Sequence, residues 1–169
     1  DDEFVAAETS EQNLLKSADI AMYRAKGSGG GHCLYSAEMG EQLSHKLDVV
    51  QRFSQALRNN RLQLHYQPKL NLSDSRLTGV EALLRWHDPQ WGWVPPTEFL
   101  PIIEERGMMT ELGEWVLSEA CRQLQTWKEA GLALPPRIAI NVAAPQIDEK
   151  DFAARTLAII EEAGQSPTR

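Results

Sequence analysis

The sequence predicts an α/β protein in which a β-hairpin opens a run of alternating helices and strands. Three observations carry that reading. Residues 62–70 and 77–86 each alternate apolar and polar, and a turn-rich segment joins them. A short apolar strand follows at 137–142. Helical stripes occupy 97–106, 111–130 and 151–163. A hairpin followed by helix, strand and helix is the order of a βα-repeat fold with a parallel sheet.

Taken in order, Ser10 is an N-cap candidate, followed at helical spacing by Leu14, Leu15, Ala18, Met22 and Ala25. Arg24 and Lys26 suit the negative end of the helix dipole, and Gly27 can close the helix. Residues 28–31, SGGG, read as a turn and 32–35, HCLY, as a short strand. One helix and one strand cannot bury a core, so this part packs on the remainder or is the tail of something larger. A second helix is expected over 38–60, with Leu43, Leu47, Val50, Phe53 and Leu57 on one stripe and Asn59-Asn60 at its end. In the first hairpin strand Leu62, Leu64 and Tyr66 face one side; Gln63, His65, Gln67 and Lys69 face the other. NLSDSR, at 71–76, supplies the turn. HDPQWGWVPP, at 87–96, reads as a loop. Gly107 and Gly131 end the next two helices, the longer of which turns Leu112, Trp115, Val116, Ala120, Leu124 and Trp127 inward. Pro135-Pro136 stops any helical continuation before the last strand.

Composition narrows the function. A length of 169 residues allows one ordinary domain or parts of two. With 42% hydrophobic and 24% charged residues, the chain is globular in type. A formal charge of −7 leaves no basic stripe for coating a nucleic acid. A small anion remains possible where arginine or a cation meets it. Cys33 and Cys121 show no paired spacing, so neither a disulfide framework nor a zinc site is expected, and a reducing cytoplasm is the simpler setting. No apolar run reaches the roughly 18 residues of a membrane span. Any tether of a parent protein would lie outside this chain.

The chemistry gathers on the hairpin. In LTGVEALLRWH, at 77–87, Glu81, Leu83 and Arg85 share one strand face, and Glu81 and Arg85 stand about 13 Å apart at roughly 3.3 Å per residue. That separation suits two ends of one ligand; it equally suits two unrelated charges on a wet face. Asn141 ends an otherwise apolar strand, where a polar residue is either a rim site residue or a turn former. Glu81 and Asn141 both offer oxygen, which favours magnesium or manganese over zinc. Two donors do not complete such a site. Gln67 could donate to a phosphate or a guanine edge, or be an ordinary exposed amide. The histidines show no metal-ligand spacing, with His65 on the sheet face and His87 at a turn. Trp86, Trp91 and Trp93 form either a hydrophobic cap or a stacking surface; Trp115 and Trp127 belong to the core.

YQPKL, GVEALLRWHDPQWGWVPPTEFLPIIEERGMM, LGEWVLSEACRQLQTW and IAINVAAPQI together resemble the N-terminal half of an EAL domain. The resemblance implies an incomplete TIM-like βα-barrel with an antiparallel first strand over 61–169, reached through a helix at 38–60. Residues 14–35, LLKSADIAMYRAKGSGGGHCLY, resemble the closing helix and strand of a GGDEF diguanylate cyclase domain, so 1–37 is expected to be that domain's C-terminal tail. By position, the resemblance makes Glu81 and Asn141 metal ligands and Gln67, Leu83, Arg85 and Pro96 residues that line cyclic di-GMP. Arg85 is matched to a phosphate.

The implied parent is a cytoplasmic bacterial signalling enzyme, homodimeric through its EAL domains, which hydrolyses cyclic di-GMP to linear pGpG with Mg2+ or Mn2+. The alternative is a catalytically inactive EAL domain that only binds the dinucleotide. Ala143 stands where the family usually has serine. The further carboxylates and the lysine of the family site, and the GGDEF signature itself, are not in the sequence. It is therefore read as a fragment, without activity of its own and with no catalytic residue assigned within it.

Overall fold

Alternation of side chains in the hairpin builds the sheet of residues 52–169, and the helices there follow from what that sheet leaves apolar. The computed structural model describes residues 2–27 and 32–165. It divides into two units, Asp1–Gln51 and Arg52–Arg169.

In the first unit, α1 runs over Asp2–Gly27 and the start of α2 (Ala37–Arg58) follows. The N-cap expected at Ser10 is not the start: the helix continues back to Asp2. Ala6 and Ala7 are residue types with strong helix preference, which favours the earlier start. The stripe expected on α1 is also not the buried one. Leu14, Leu15 and Met22 are 67%, 68% and 53% exposed, whereas Ala21 is buried. On α2 the expected stripe is buried at Phe53 and Leu57 and half-buried at Leu43 and Val50, while Leu47 is exposed and Val49 is buried beside it. HCLY forms no strand; residues 32–36 lie outside any regular element. A strand needs a pairing partner, and none of the described strands offers these residues one. The SGGG turn lies outside the described residues.

In the second unit the hairpin is as read. β1 (Leu62–Leu70) and β2 (Leu77–Asp88) pair antiparallel from Leu62↔Trp86 to Leu70↔Leu77. Asn71 organises the turn, its side-chain oxygen accepting from the Ser73 backbone N–H at 2.9 Å and hydroxyl at 2.7 Å. β4 (Ile138–Ile140) joins β2 in parallel, with Val80↔Ile138 and Ala82↔Ile140. The approach is close at Gly79, where a Cβ would stand 2.8 Å from the Arg137 carbonyl oxygen. The resulting mixed sheet and its helices are part of a βα-barrel, with the first strand antiparallel as expected.

A further strand, β3 (Gly92–Val94), pairs antiparallel with the end of β2 inside the segment expected to be a loop. Three residues are too short for alternation to register. The turn into it depends on Gly92 at φ 72° and on Asp88. The Asp88 carboxylate is buried and accepts from the backbone N–H groups of Gln90 (2.9 Å) and Trp91 (3.1 Å) and from Arg52 (3.1 Å). Burial alone would raise its pKa, but the two backbone donors and the guanidinium outweigh that and hold it below the usual carboxylate range.

A depressed folded pKa stabilises the fold fully above the ordinary aspartate value of about 4, and that stability is lost as pH falls through the lower folded value. The stability difference between the natural chain and Asp88→Asn should accordingly shrink on acidification below about pH 4. Urea midpoints at pH 3 and pH 7 check this; a constant difference would contradict it.

The helices cover one face of the sheet. α3 (Pro96–Glu105), α4 (Met109–Glu129) and α6 (Phe152–Glu162) match the expected segments, and a one-turn helix, α5 (Ala144–Ile147), was not foreseen. Val80, Ala82 and Trp86 of β2 are buried, and Tyr66 of β1 meets Trp127 of α4 at 4.9 Å between ring centres. Burial, with a smaller contribution from nearby Glu119, pushes the Tyr66 phenol up to about 12. Trp115 and Trp127, expected in the core, are half-buried. Phe53, Trp86 and Phe99 form the aromatic centre, with ring separations of 5.3–5.5 Å. α6 buries none of its apolar residues. No helix among the described residues is long and apolar enough to cross a membrane.

Candidate functional site

The other sheet face carries the polar groups. Cross-strand partners share a face, so the pairs Gln63↔Arg85, His65↔Leu83 and Gln67↔Glu81 place all six side chains together. Glu81, Leu83 and Arg85 are half-buried there, and Gln67 is exposed. On β4 the partner of Glu81 is Ala139, so Asn141, two residues further, returns to the same face. Asn141 lies one residue beyond the strand, and its side-chain N–H donates to Glu81 Oε1 at 3.1 Å.

Sequence reasoning did not single out Lys69 as a site residue, although alternation put it on this face. Its Nζ stands 2.9 Å from Glu81 Oε2. Only the register reveals the meeting: Gln67 is opposite Glu81, which sets Lys69 on the diagonal. Hydrogen bonds from Lys69 first and Asn141 second, with the lysine charge, hold the Glu81 carboxyl below its ordinary pKa. Glu81 is therefore an anion at neutral pH, with both oxygens engaged.

Arg85 donates to the Leu84 carbonyl at 2.7 Å. None of the ion pairs found among the described residues includes it. Its charge is thus not neutralised by a carboxylate there, which suits an anionic ligand. Pro96 opens α3, after β3. The tryptophans divide between the faces. Trp86 and Trp91 join the hydrophobic cap, with the Arg52 guanidinium 4.6 Å over the Trp91 ring. Trp93 remains 57% exposed between His65 (5.9 Å) and His87 (5.0 Å).

The donor set can be tested against a divalent cation. Glu81 and Asn141 fit a hard cation in kind, each offering oxygen. They supply two of the roughly six donors such an ion takes. Among the described residues no cluster of three or more His, Cys, Asp or Glu is placed to hold a metal. The pair is thus one side of a coordination shell.

Behind Asn141, a cavity of about 160 Å³ lies between α4, α5 and α6, lined in part by Gly113, Gln146 and Arg155. Arg155 pairs with Glu149 and, at 3.1 Å, with Glu114; the Thr110 hydroxyl also donates to Glu149. None of these residues carried a signal in the sequence, because each acts through a neighbour brought close only by helix packing.

Comparison with known proteins bears on residues 50–169, which match the family model described as EAL domain. The bifunctional diguanylate cyclase/cyclic di-GMP phosphodiesterase MucR of Pseudomonas aeruginosa is 42% identical over 138 residues, 81% of this chain and 20% of its own length. The cyclic di-GMP phosphodiesterase PdeR of Escherichia coli is 33% identical over 150 residues, covering 88% of this chain and 22% of its own. Among solved structures, the PaMucR phosphodiesterase in its c-di-GMP complex superposes with a TM-score of 0.65 at 38% identity, over 72% of this chain and 49% of that one. The FimX EAL domain from Pseudomonas aeruginosa bound to c-di-GMP gives 0.60 at 25%, over 71% and 47%. The chain thus spans about a fifth of these curated relatives and about half of these structures.

Proposed function

The chain belongs to the EAL domain family, and on that premise we propose that it supplies one side of the site of a phosphodiesterase that opens cyclic di-GMP to linear pGpG. The observation that carries this reading is the meeting of Glu81 and Asn141, 3.1 Å apart, on the sheet face that also bears Gln67, Leu83 and Arg85.

Glu81 and Asn141 would hold Mg2+ or Mn2+, which supplies Lewis acidity towards a phosphoryl oxygen and water when bound. Arg85 meets a phosphate of the dinucleotide and offsets its charge. Gln67, Leu83 and Pro96 line the ligand, the amide of Gln67 donating to it. Lys69 keeps Glu81 ionised and in place when no cation is there. The reaction belongs in the cytoplasm, a setting that two unpaired cysteines, Cys33 and Cys121, support.

The partition into residues 1–37 as a GGDEF tail, 38–60 as a connecting helix and 61–169 as EAL domain belongs to the same proposal. It draws support from the family match beginning at residue 50 and the structural division after Gln51, both within that helix, and from the double activity in MucR's name. A natural protein with no diguanylate cyclase motif ahead of this segment would remove it.

Two substitutions in the natural protein that carries this chain test the roles. Arg85→Ala is expected to weaken cyclic di-GMP binding by about 1.5–3 kcal/mol, the worth of a hydrogen bond to a charged group. Glu81→Ala is expected to abolish hydrolysis through loss of metal. Calorimetry with Ca2+ as a non-catalytic substitute separates the effects, and unchanged binding in Arg85→Ala contradicts its assignment. Binding without turnover in the unmodified protein selects a receptor instead.

A further inference from the structure

We propose that Gln146 is a positioning residue: its buried amide, seated against Gly113, holds the loop that aims Asn141 at Glu81. The proposal rests on Asn141 being a metal ligand. Its geometry is independent of that role.

Asn141 lies beyond the end of β4, so no ladder pairing fixes it. Two residues on, the Ala143 N–H donates to the side-chain oxygen of Gln146 at 2.9 Å, and the Gln146 N–H returns to the Ala143 carbonyl at 3.0 Å. Gln146 is only 5% exposed, a rare depth for an amide unless it is bonded. Its seat exists because residue 113 of α4 is glycine. A Cβ at Gly113 would collide with Gln146 Nε2 and come within 3.1 Å of its Cδ.

Gln146 therefore ties the 141–143 loop to a helix of 21 residues packed on the sheet. A full capping box would add a second tie, the backbone N–H three residues on donating to a hydroxyl oxygen at the N-cap. Ala143 occupies that N-cap and has no hydroxyl. The loop that aims Asn141 thus hangs on the Gln146 half of the box.

The test uses the natural protein carrying this chain, with Gln146→Met, Gly113→Ala and the double variant Ala143→Ser with Gln146→Met. Hydrogen exchange at the Ala143 N–H should quicken about tenfold in Gln146→Met, the worth of one hydrogen bond. The Asn141 side-chain amide resonance should shift while those of β1 and β2 stay. Mn2+ affinity should fall about 10–100-fold, the usual cost of losing a group that orients a ligand. Gly113→Ala should move the Asn141 resonance in the same way from a different element. It leaves every polar group of the loop in place, and so carries the test if Gln146→Met does not fold. Ala143→Ser should recover part of the loss by supplying the missing half of the box.

Faster Ala143 exchange with an unmoved Asn141 resonance and unchanged Mn2+ affinity would overturn the proposal, leaving Gln146 as a cap for α5 only. Absence of Mn2+ binding by the unmodified protein would instead sink the metal role of Asn141. The Asn141 resonance alone then decides the positioning.

Discussion

Trp86→Ala is expected to destabilise the fold by about 3–5 kcal/mol, the range for removing a large buried aromatic side chain. Trp86 is fully buried, in ring contact with Phe53 at 5.5 Å and Phe99 at 5.3 Å, and with Trp91 at 6.2 Å. It also stands at a junction of the sheet, pairing with Leu62 on one side and Val94 on the other. Four elements, α2, α3, β1 and β3, would face the cavity, and two of them are strands whose register limits collapse. The indole N–H is buried without a hydrogen-bond partner in the described structure, so the loss is one of packing. Urea unfolding should show a lower midpoint with an unchanged slope. A change below about 1 kcal/mol would mean that the aromatic centre is not the core of this unit.

Trp86 also shows why the fold was largely legible. Its neighbours Arg85 and His87 point to the opposite face, and strict alternation through β1 and β2 announces both faces at once. The hairpin, the three longer helices of the second unit and the parallel placement of β4 all follow from local pattern. What failed depended on context. The start of α1 lies in residues whose helix preference exceeds the pull of Ser10 as a cap. β3 and α5, of three and four residues, span too few repeats of a strand or helix period for a pattern to register. Leu47 and Met22 fit a stripe yet are exposed, because periodicity gives a face and not what covers it.

Within the site, parity alone placed Gln67, Glu81, Leu83 and Arg85 on one side, and register brought Asn141 to them. Lys69 and Gln146 needed three-dimensional neighbours. Glu81 meets Lys69 only through the diagonal of the ladder, and Gln146 is buried only because a glycine on α4 makes room.

The 169-residue chain expressed alone is expected to show no turnover of cyclic di-GMP, against measurable turnover by the natural protein that carries it. The donor count decides this. Glu81 and Asn141 offer two oxygens where a hard divalent cation takes about six, most of the charge coming from carboxylates. The Lys69 ammonium already holds one Glu81 oxygen, so a weakly bound cation must displace it as well. Lys150, the lysine nearest Asn141 in sequence, lies beyond α5 and is exposed there, and no step is assigned to it.

The open sheet adds a second consequence. The edge of β1, paired only with β2 among the described strands, and the unburied apolar residues of α6, with Leu157 44% exposed, leave surface that favours self-association. Sedimentation of the isolated chain should show dimers or larger species, and an assay of both proteins with magnesium and with manganese should show product only from the longer one. Comparable turnover by the two would mean that Glu81 and Asn141 complete their shell within this chain, or that the chemistry does not run through them.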